Sequence, residues 1–89
     1  MMLGELIPKE DILNFKIVKA AEDHAVELKN KLESALRLGN EFKSKANITF
    51  MTTDGPKRVE TTVWNVTPDY IELKGGIIIS THSLLEIVF

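Results

Sequence analysis

The sequence predicts an α+β domain in which one long N-terminal helix, residues 8–38, precedes a five-stranded antiparallel small barrel over residues 46–89. Three observations predict it. From Lys9 to Leu38 there is neither glycine nor proline, and the stretch is rich in Ala, Leu, Glu and Lys. From Asn47 onward the apolar period drops from that of a helix to the twofold alternation of strands, with many β-branched residues. Asp-Gly, Thr-Pro-Asp and Gly-Gly signals then break this second half into runs too short for helices.

The helix is read from its ends and its stripe. Pro8 suits a first helical position, Glu10 and Asp11 suit the positive end of the helix dipole, and Arg37 suits its last turn. Gly39-Asn40 reads as the stop. Val18, Ala21, Ala25, Leu28, Leu32 and Ala35 recur at spacings of three and four, which places them on one face. Ile17 and Leu36 widen that face, while Ile12, Leu13 and Phe15 lie off it and need a second contact surface. A helix of thirty residues extends roughly 45 Å. That is longer than any barrel the remaining chain can build, so either the helix breaks, with no Gly or Pro present to break it, or the overhang packs on a second subunit, which is the favoured reading.

The strands follow in order. Asn47 to Thr53 alternates, with Ile48 and Phe50 on one side. Thr53-Asp54-Gly55-Pro56 is a turn, since Asp-Gly supplies positive φ. Lys57 to Val66 reads as one long β-branched strand carrying Trp64, and Thr67-Pro68-Asp69 turns the chain again. Tyr70 to Leu73 follows, and Gly75-Gly76 makes a hairpin into Ile77-Ile78-Ile79-Ser80. Thr81-His82-Ser83 is a short break before the last strand, Leu84 to Phe89.

Composition removes several function classes. The 89 residues make one domain, with eleven basic and thirteen acidic side chains and a net charge of −2. That balance does not suit a protein that coats nucleic acid. With no cysteine, disulfides, thiolate metal sites and cysteine nucleophiles are excluded. The N-terminus lacks a basic region, and Glu5 and Pro8 interrupt its apolar run, so no signal peptide is expected. No uninterrupted apolar run, Ile77-Ile78-Ile79 included, exceeds three residues, far below the ~20 residues of a spanning helix. A cytoplasmic location without membrane contact is the expectation, and the Asn47-Ile48-Thr49 and Asn65-Val66-Thr67 sequons then carry no glycan. A domain this small buries only ~60% of its unfolded surface, so self-association would add stability.

The layout resembles the Sm-like family of small SH3-like barrels, which includes the RNA chaperone Hfq and the Rho-inhibiting protein Rof. The residues that carry the resemblance are Thr53-Asp54-Gly55 at the first hairpin, Asn65 to Lys74 around the next turn, and Ile78 to Ile87 across the short connection. The resemblance implies a helix followed by five bent strands, edge-to-edge assembly into a ring, and contact with uridine-rich RNA at a Lys-His pair. Here His82 matches that pair while Thr81 stands in place of the lysine. Pro68 and Asp69 replace the family's glutamine and aromatic residue.

Candidate sites are few, and each has a plainer reading. His82 lies in a short connection where side chains face ligands, and its imidazole suits a phosphate or a base. The plainer reading is a turn histidine bonded to nearby backbone with Ser83. Trp64 and Tyr70 could stack bases while Lys57 and Arg58 neutralise phosphate, but Glu60, Asp69 and Glu72 lie among them, and Trp64 is more often a core or helix-facing residue. His24 and Glu27 have i, i+3 metal-ligand spacing, yet carboxylate-bundle sites draw on four helices, so no metal and no cofactor is expected. Ser80 and Ser83 flank His82 without an oxyanion loop, and catalysis is not expected. The most apolar segments are strand edges. Ile77, Ile79, Leu85 and Ile87, with Leu28 and Leu32 of the helix stripe, are the expected self-association residues. The sequence reads as a non-catalytic, self-associating interaction module that binds a protein partner in a regulatory role. The second reading is an Sm-like RNA binder using His82, Tyr70, Lys57, Arg58 and Trp64.

Overall fold

A computed structural model describes residues 4–89 of the chain. It holds one α-helix, α1 (Ala25–Phe42), and seven strands. Strands β1 (Glu5–Leu6), β2 (Ala46–Thr52), β3 (Gly55–Thr61) and β7 (Leu84–Val88) form one open sheet in the order β1-β3-β2-β7. Strands β4 (Val63–Val66), β5 (Tyr70–Leu73) and β6 (Ile77–Ser80) form a second, in the order β4-β5-β6. The expectation of a helix over 8–38 followed by a closed five-stranded barrel is therefore corrected, and each part of the correction has a physical reason.

The first half of the expected helix finds partners elsewhere. Lys9–Asn14 makes a short 3₁₀ helix whose Ile12 is buried in the core. Beyond it the chain runs extended across the end of β2. Ile17 bridges Thr52, the Val18 amide donates to the Met51 carbonyl at 3.1 Å, and the Thr53 amide donates to the Lys16 carbonyl at 3.0 Å. Both Ile17 and Val18 are β-branched, which favours this extended path. Backbone groups that a helix would satisfy locally are here satisfied by strands thirty residues away. The helix that remains, 18 residues and about 27 Å long, fits within a molecule of 34 × 26 × 26 Å. No overhang exists among the described residues, and the argument for a second subunit based on it falls.

Gly39 is not a stop. The helix continues to Phe42 and closes at Lys43, whose φ of 53° is left-handed and whose amide donates to the Gly39 carbonyl at 3.0 Å. Gly39 serves instead as a contact point. A β-carbon there would lie 2.8 Å from the Val63 carbonyl oxygen and 2.9 Å from Thr62 Cγ2. The missing side chain lets α1 seat directly on the chain between β3 and β4.

The expected single strand Lys57 to Val66 divides at Thr62 into β3 and β4, which join different sheets. β4 then shifts register against β5 between Val63 and Asn65, leaving Trp64 as the extra residue of a bulge. Trp64 turns outward at 48% exposure rather than into the core. Gly75 and Gly76, at φ of 95° and 84°, make the turn from β5 to β6. Among the described residues β6 does not pair with β7, so the two sheets stay open.

One core holds the two sheets and the helix together. Ile48, Phe50, Val59, Ile71, Leu73, Ile79 and Leu84 are fully buried, and α1 adds Leu28, Leu32 and Ala35. Among the described residues no helix is long and apolar enough to cross a membrane.

Candidate functional site

The site is built on the short 3₁₀ turn Thr81–Ser83 that joins β6 to β7. Its side chains fasten it in place. The Thr81 hydroxyl donates to the Pro68 carbonyl at 2.8 Å, and the Thr81 amide donates to the Asp69 carbonyl at 3.0 Å. The Ser83 hydroxyl donates to the Ser80 carbonyl at 2.7 Å, and the Ser80 hydroxyl accepts the His82 amide at 3.2 Å. Both serines beside the histidine thus hold backbone. From the other side the Ala20 amide donates to the His82 carbonyl at 3.0 Å.

This scaffold fixes the His82 ring. Its Nδ1 meets Asp23 Oδ2 at 2.7 Å, with both side chains about two-fifths exposed. Asp23 Oδ1 accepts the Ala25 amide at 2.9 Å and so satisfies one of the free amides at the start of α1. That amide, followed by the His82 ring and the charge of Lys19, holds the Asp23 carboxyl below its ordinary value. The pair ties the start of the helix to a turn 59 residues later. Nδ1 is occupied by the carboxylate, which leaves Nε2 as the ring nitrogen open to a ligand.

A groove of about 750 Å³ runs from this pair along α1. Leu32 and Leu36 of the helix face Val66 and Pro68 across it, and Lys29 and Glu33 supply charges on its helical side. Val26, 88% exposed, lines its first turn. The volume lies in the range of ordinary ligand sites, and the walls are mainly aliphatic with a few polar groups, the usual chemistry of a recognition cleft.

The other sequence candidates are dispersed. Lys57 lies on β3, paired to Glu5 at 3.2 Å and 5.1 Å from the centre of the Phe15 ring. Arg58, also on β3, donates to the Asn47 side-chain oxygen. Tyr70 and Trp64 lie on the second sheet, 38% and 48% exposed. The two cationic and the two aromatic residues therefore stand on different sheets. His24 pairs with Glu27 at 3.1 Å, and among the described residues no three metal-ligating side chains cluster. Of the expected self-association residues, Ile79, Ile87, Leu28 and Leu32 are buried within the chain, while Ile77 and Leu85 are half-buried.

Sequence reasoning found His82 and missed Asp23, Leu36, Val66 and Pro68 as its neighbours. A signal for Asp23 was present, because an Asp two residues before an Ala-Val-Glu-Leu run lies close to a helix-start pattern. The pairing of that start with His82 had no local signal. A second, polar hollow of about 270 Å³ near Lys9, Lys45 and Lys74 also contains Glu10 and Glu60, so its charges largely cancel. No known family, curated protein or solved structure matches this chain.

Proposed function

We propose that this chain is a non-catalytic interaction module that self-associates and holds a protein partner in the groove beside α1, in a regulatory role. The observation that supports the partner site is the groove itself. It is lined by aliphatic side chains and is anchored at the N-terminal end of the helix by the Asp23–His82 pair. The aliphatic walls suit an apolar side chain of the partner, and His82 Nε2 with Lys29 and Glu33 suits its polar backbone or side-chain groups. The dispersal of Lys57 and Arg58 from Trp64 and Tyr70 favours this reading over the RNA one, since phosphate neutralisation and base stacking need neighbouring residues.

The test uses a photo-reactive amino acid at Val26, whose side chain is 88% exposed, to trap the partner in cells. The purified partner is then titrated against the wild-type chain and Val26→Glu. A charged carboxylate in the apolar wall should weaken binding at least tenfold, about 1.4 kcal/mol, without lowering the melting temperature. Binding that is indifferent to Val26→Glu and to Lys29→Glu overturns the groove reading. Salt-sensitive binding of a short uridine-rich RNA that is lost in His82→Ala replaces it with the RNA reading.

A further inference from the structure

Two open sheets present four strand edges, and natural proteins protect such edges from pairing with other chains. Three edges here are protected. β1 is only two residues long and carries Glu5. β4 is covered by α1, which comes close enough at Gly39 to exclude a β-carbon beside the Val63 carbonyl. β7 carries Glu86, and its pairing with β2 shifts register between Thr49 and Phe50.

Among the described residues β6 has none of these devices. Its sequence is Ile77-Ile78-Ile79-Ser80, without a charge or a proline, and its register with β5 is unbroken from Tyr70↔Ser80 to Leu73↔Ile77. Two bonds set the phase of that ladder. The Thr81 amide donates to the Asp69 carbonyl at 3.0 Å, and the Tyr70 carbonyl is taken from the opposite side by the Thr67 amide at 2.8 Å. Because hydrogen-bonded pairs alternate in an antiparallel ladder, Ile79 and Ile77 bond to β5 while Ile78 and Ser80 turn their amides to the open edge. The Ile78 side chain is 50% exposed on the outer face of the sheet, the same face as Tyr70.

We propose that β6 is a homotypic docking edge. Two copies of the chain pair antiparallel through this strand across a twofold axis at Ile78, making one six-stranded sheet. The inference rests on the self-association part of the function proposed above and is independent of the groove. At this register each Ile78 amide donates to the other copy's Ile78 carbonyl, and each Ser80 amide donates to the Gly76 carbonyl of the partner subunit. The two Ile78 side chains meet on the outer face and cover one another.

Charge favours a second copy of β6 over β7 as the occupant. β6 itself brings no charge to the seam; Glu72 is one strand inward in register with Ile78, and the Lys9 ammonium lies beside Gly75 at the turn before the strand. Across the dimer the two Glu72 positions stand three strand spacings apart, roughly 14 Å, which is beyond the screening length of physiological salt. Pairing with β7 would instead lay Ile78 along an irregular strand that carries Glu86. Area sets the strength. Four residues extend about 14 Å, and such an edge with its flanking side chains falls short of the ~800 Å² per partner of a standard interface. The dimer belongs to the weak, concentration-dependent class.

Sedimentation equilibrium from about 10 μM to about 1 mM tests the proposal, because that range spans weak association. The wild-type mass should rise from the 10.0 kDa of one chain toward twice that value. Ile78→Lys should stay monomeric throughout with an unchanged circular dichroism spectrum and melting temperature. Ile78→Cys, the sole cysteine in its chain, should form a disulfide-linked dimer under mild oxidation, since residues facing each other across a twofold axis fall within bridging distance. A wild-type chain that stays monomeric at every concentration overturns both this inference and the self-association reading. A dimer that survives Ile78→Lys, or particles larger than two chains, overturns the β6 seam alone.

Discussion

Replacing Gly39 with alanine separates two effects of opposite sign. In an exposed helix interior the change stabilises by about 1 kcal/mol, because alanine loses less backbone freedom on folding than glycine. Here the new methyl carbon would lie 2.8 Å from the Val63 carbonyl oxygen and 2.9 Å from Thr62 Cγ2. Ordinary carbon contacts begin near 3.5 Å, so helix and strand must part by more than half an ångström at that point. The closer of the two obstacles is backbone and cannot swing aside. Leu32 and Ala35, at 2% and 3% exposure on the same helix, would lose contact as the helix moves. Overpacking of this kind costs about 1–3 kcal/mol. Set against the propensity gain, the net is a loss of about 1 kcal/mol, or a melting temperature lower by roughly 4–8 °C for a domain of this size. Thermal and urea unfolding followed by circular dichroism measure it, with Asn40→Ala, an exposed neighbour in the same helix, as the control that reports propensity alone. The control should melt slightly higher than wild type and Gly39→Ala clearly lower. If both melt higher, the close seat of α1 on the β3–β4 junction is not as described.

Three further outcomes follow from the same packing. Leu32→Ala removes a side chain that is 2% exposed and lines the groove, so it should destabilise by about 2–5 kcal/mol in urea titration. Thr81→Val deletes the hydroxyl that donates to the Pro68 carbonyl at 2.8 Å. It should cost about 1–2 kcal/mol and sharpen the difference in amide exchange between Thr67–Tyr70 and the rest of the sheet. The Asp23 carboxyl is held below its ordinary value by the Ala25 amide and the His82 ring, so its contribution to stability is present above the unfolded value of about 4. That contribution is lost as pH falls through the lower folded value. Asp23→Asn should therefore flatten the stability profile below about pH 4, and an unchanged acid limb in the variant would remove the carboxylate from the account.

Much of the strand half was legible because its signals are local. Gly75-Gly76 turns the chain because two consecutive residues adopt positive φ, and alternation along Asn47 to Thr53 puts Ile48 and Phe50 inside. The helix stripe was legible only from Leu28 onward, where it meets the core. Trp64, weighed as a base-stacking candidate against a core or helix-facing residue, faces outward, because Val59, Thr61 and Val63 take the inner positions and alternation puts Trp64 on the other side. For the site, a histidine in a short connection drew attention to His82. Its partner Asp23 lies 59 residues earlier, and no spacing rule relates positions that far apart.

What the amino-acid pattern determined by itself is where the backbone turns and which faces of each strand and of the helix are oily. These are properties of a few adjacent residues and their allowed dihedrals. The tertiary structure decided where the helix begins, that Gly39 is a contact rather than an end, and that the strand after Gly55 serves two sheets. The reason is that residues 16–20 satisfy their backbone on Met51, Thr53 and His82. Hydrogen bonds between segments so far apart in the chain compete with helix formation only once the fold has brought them together.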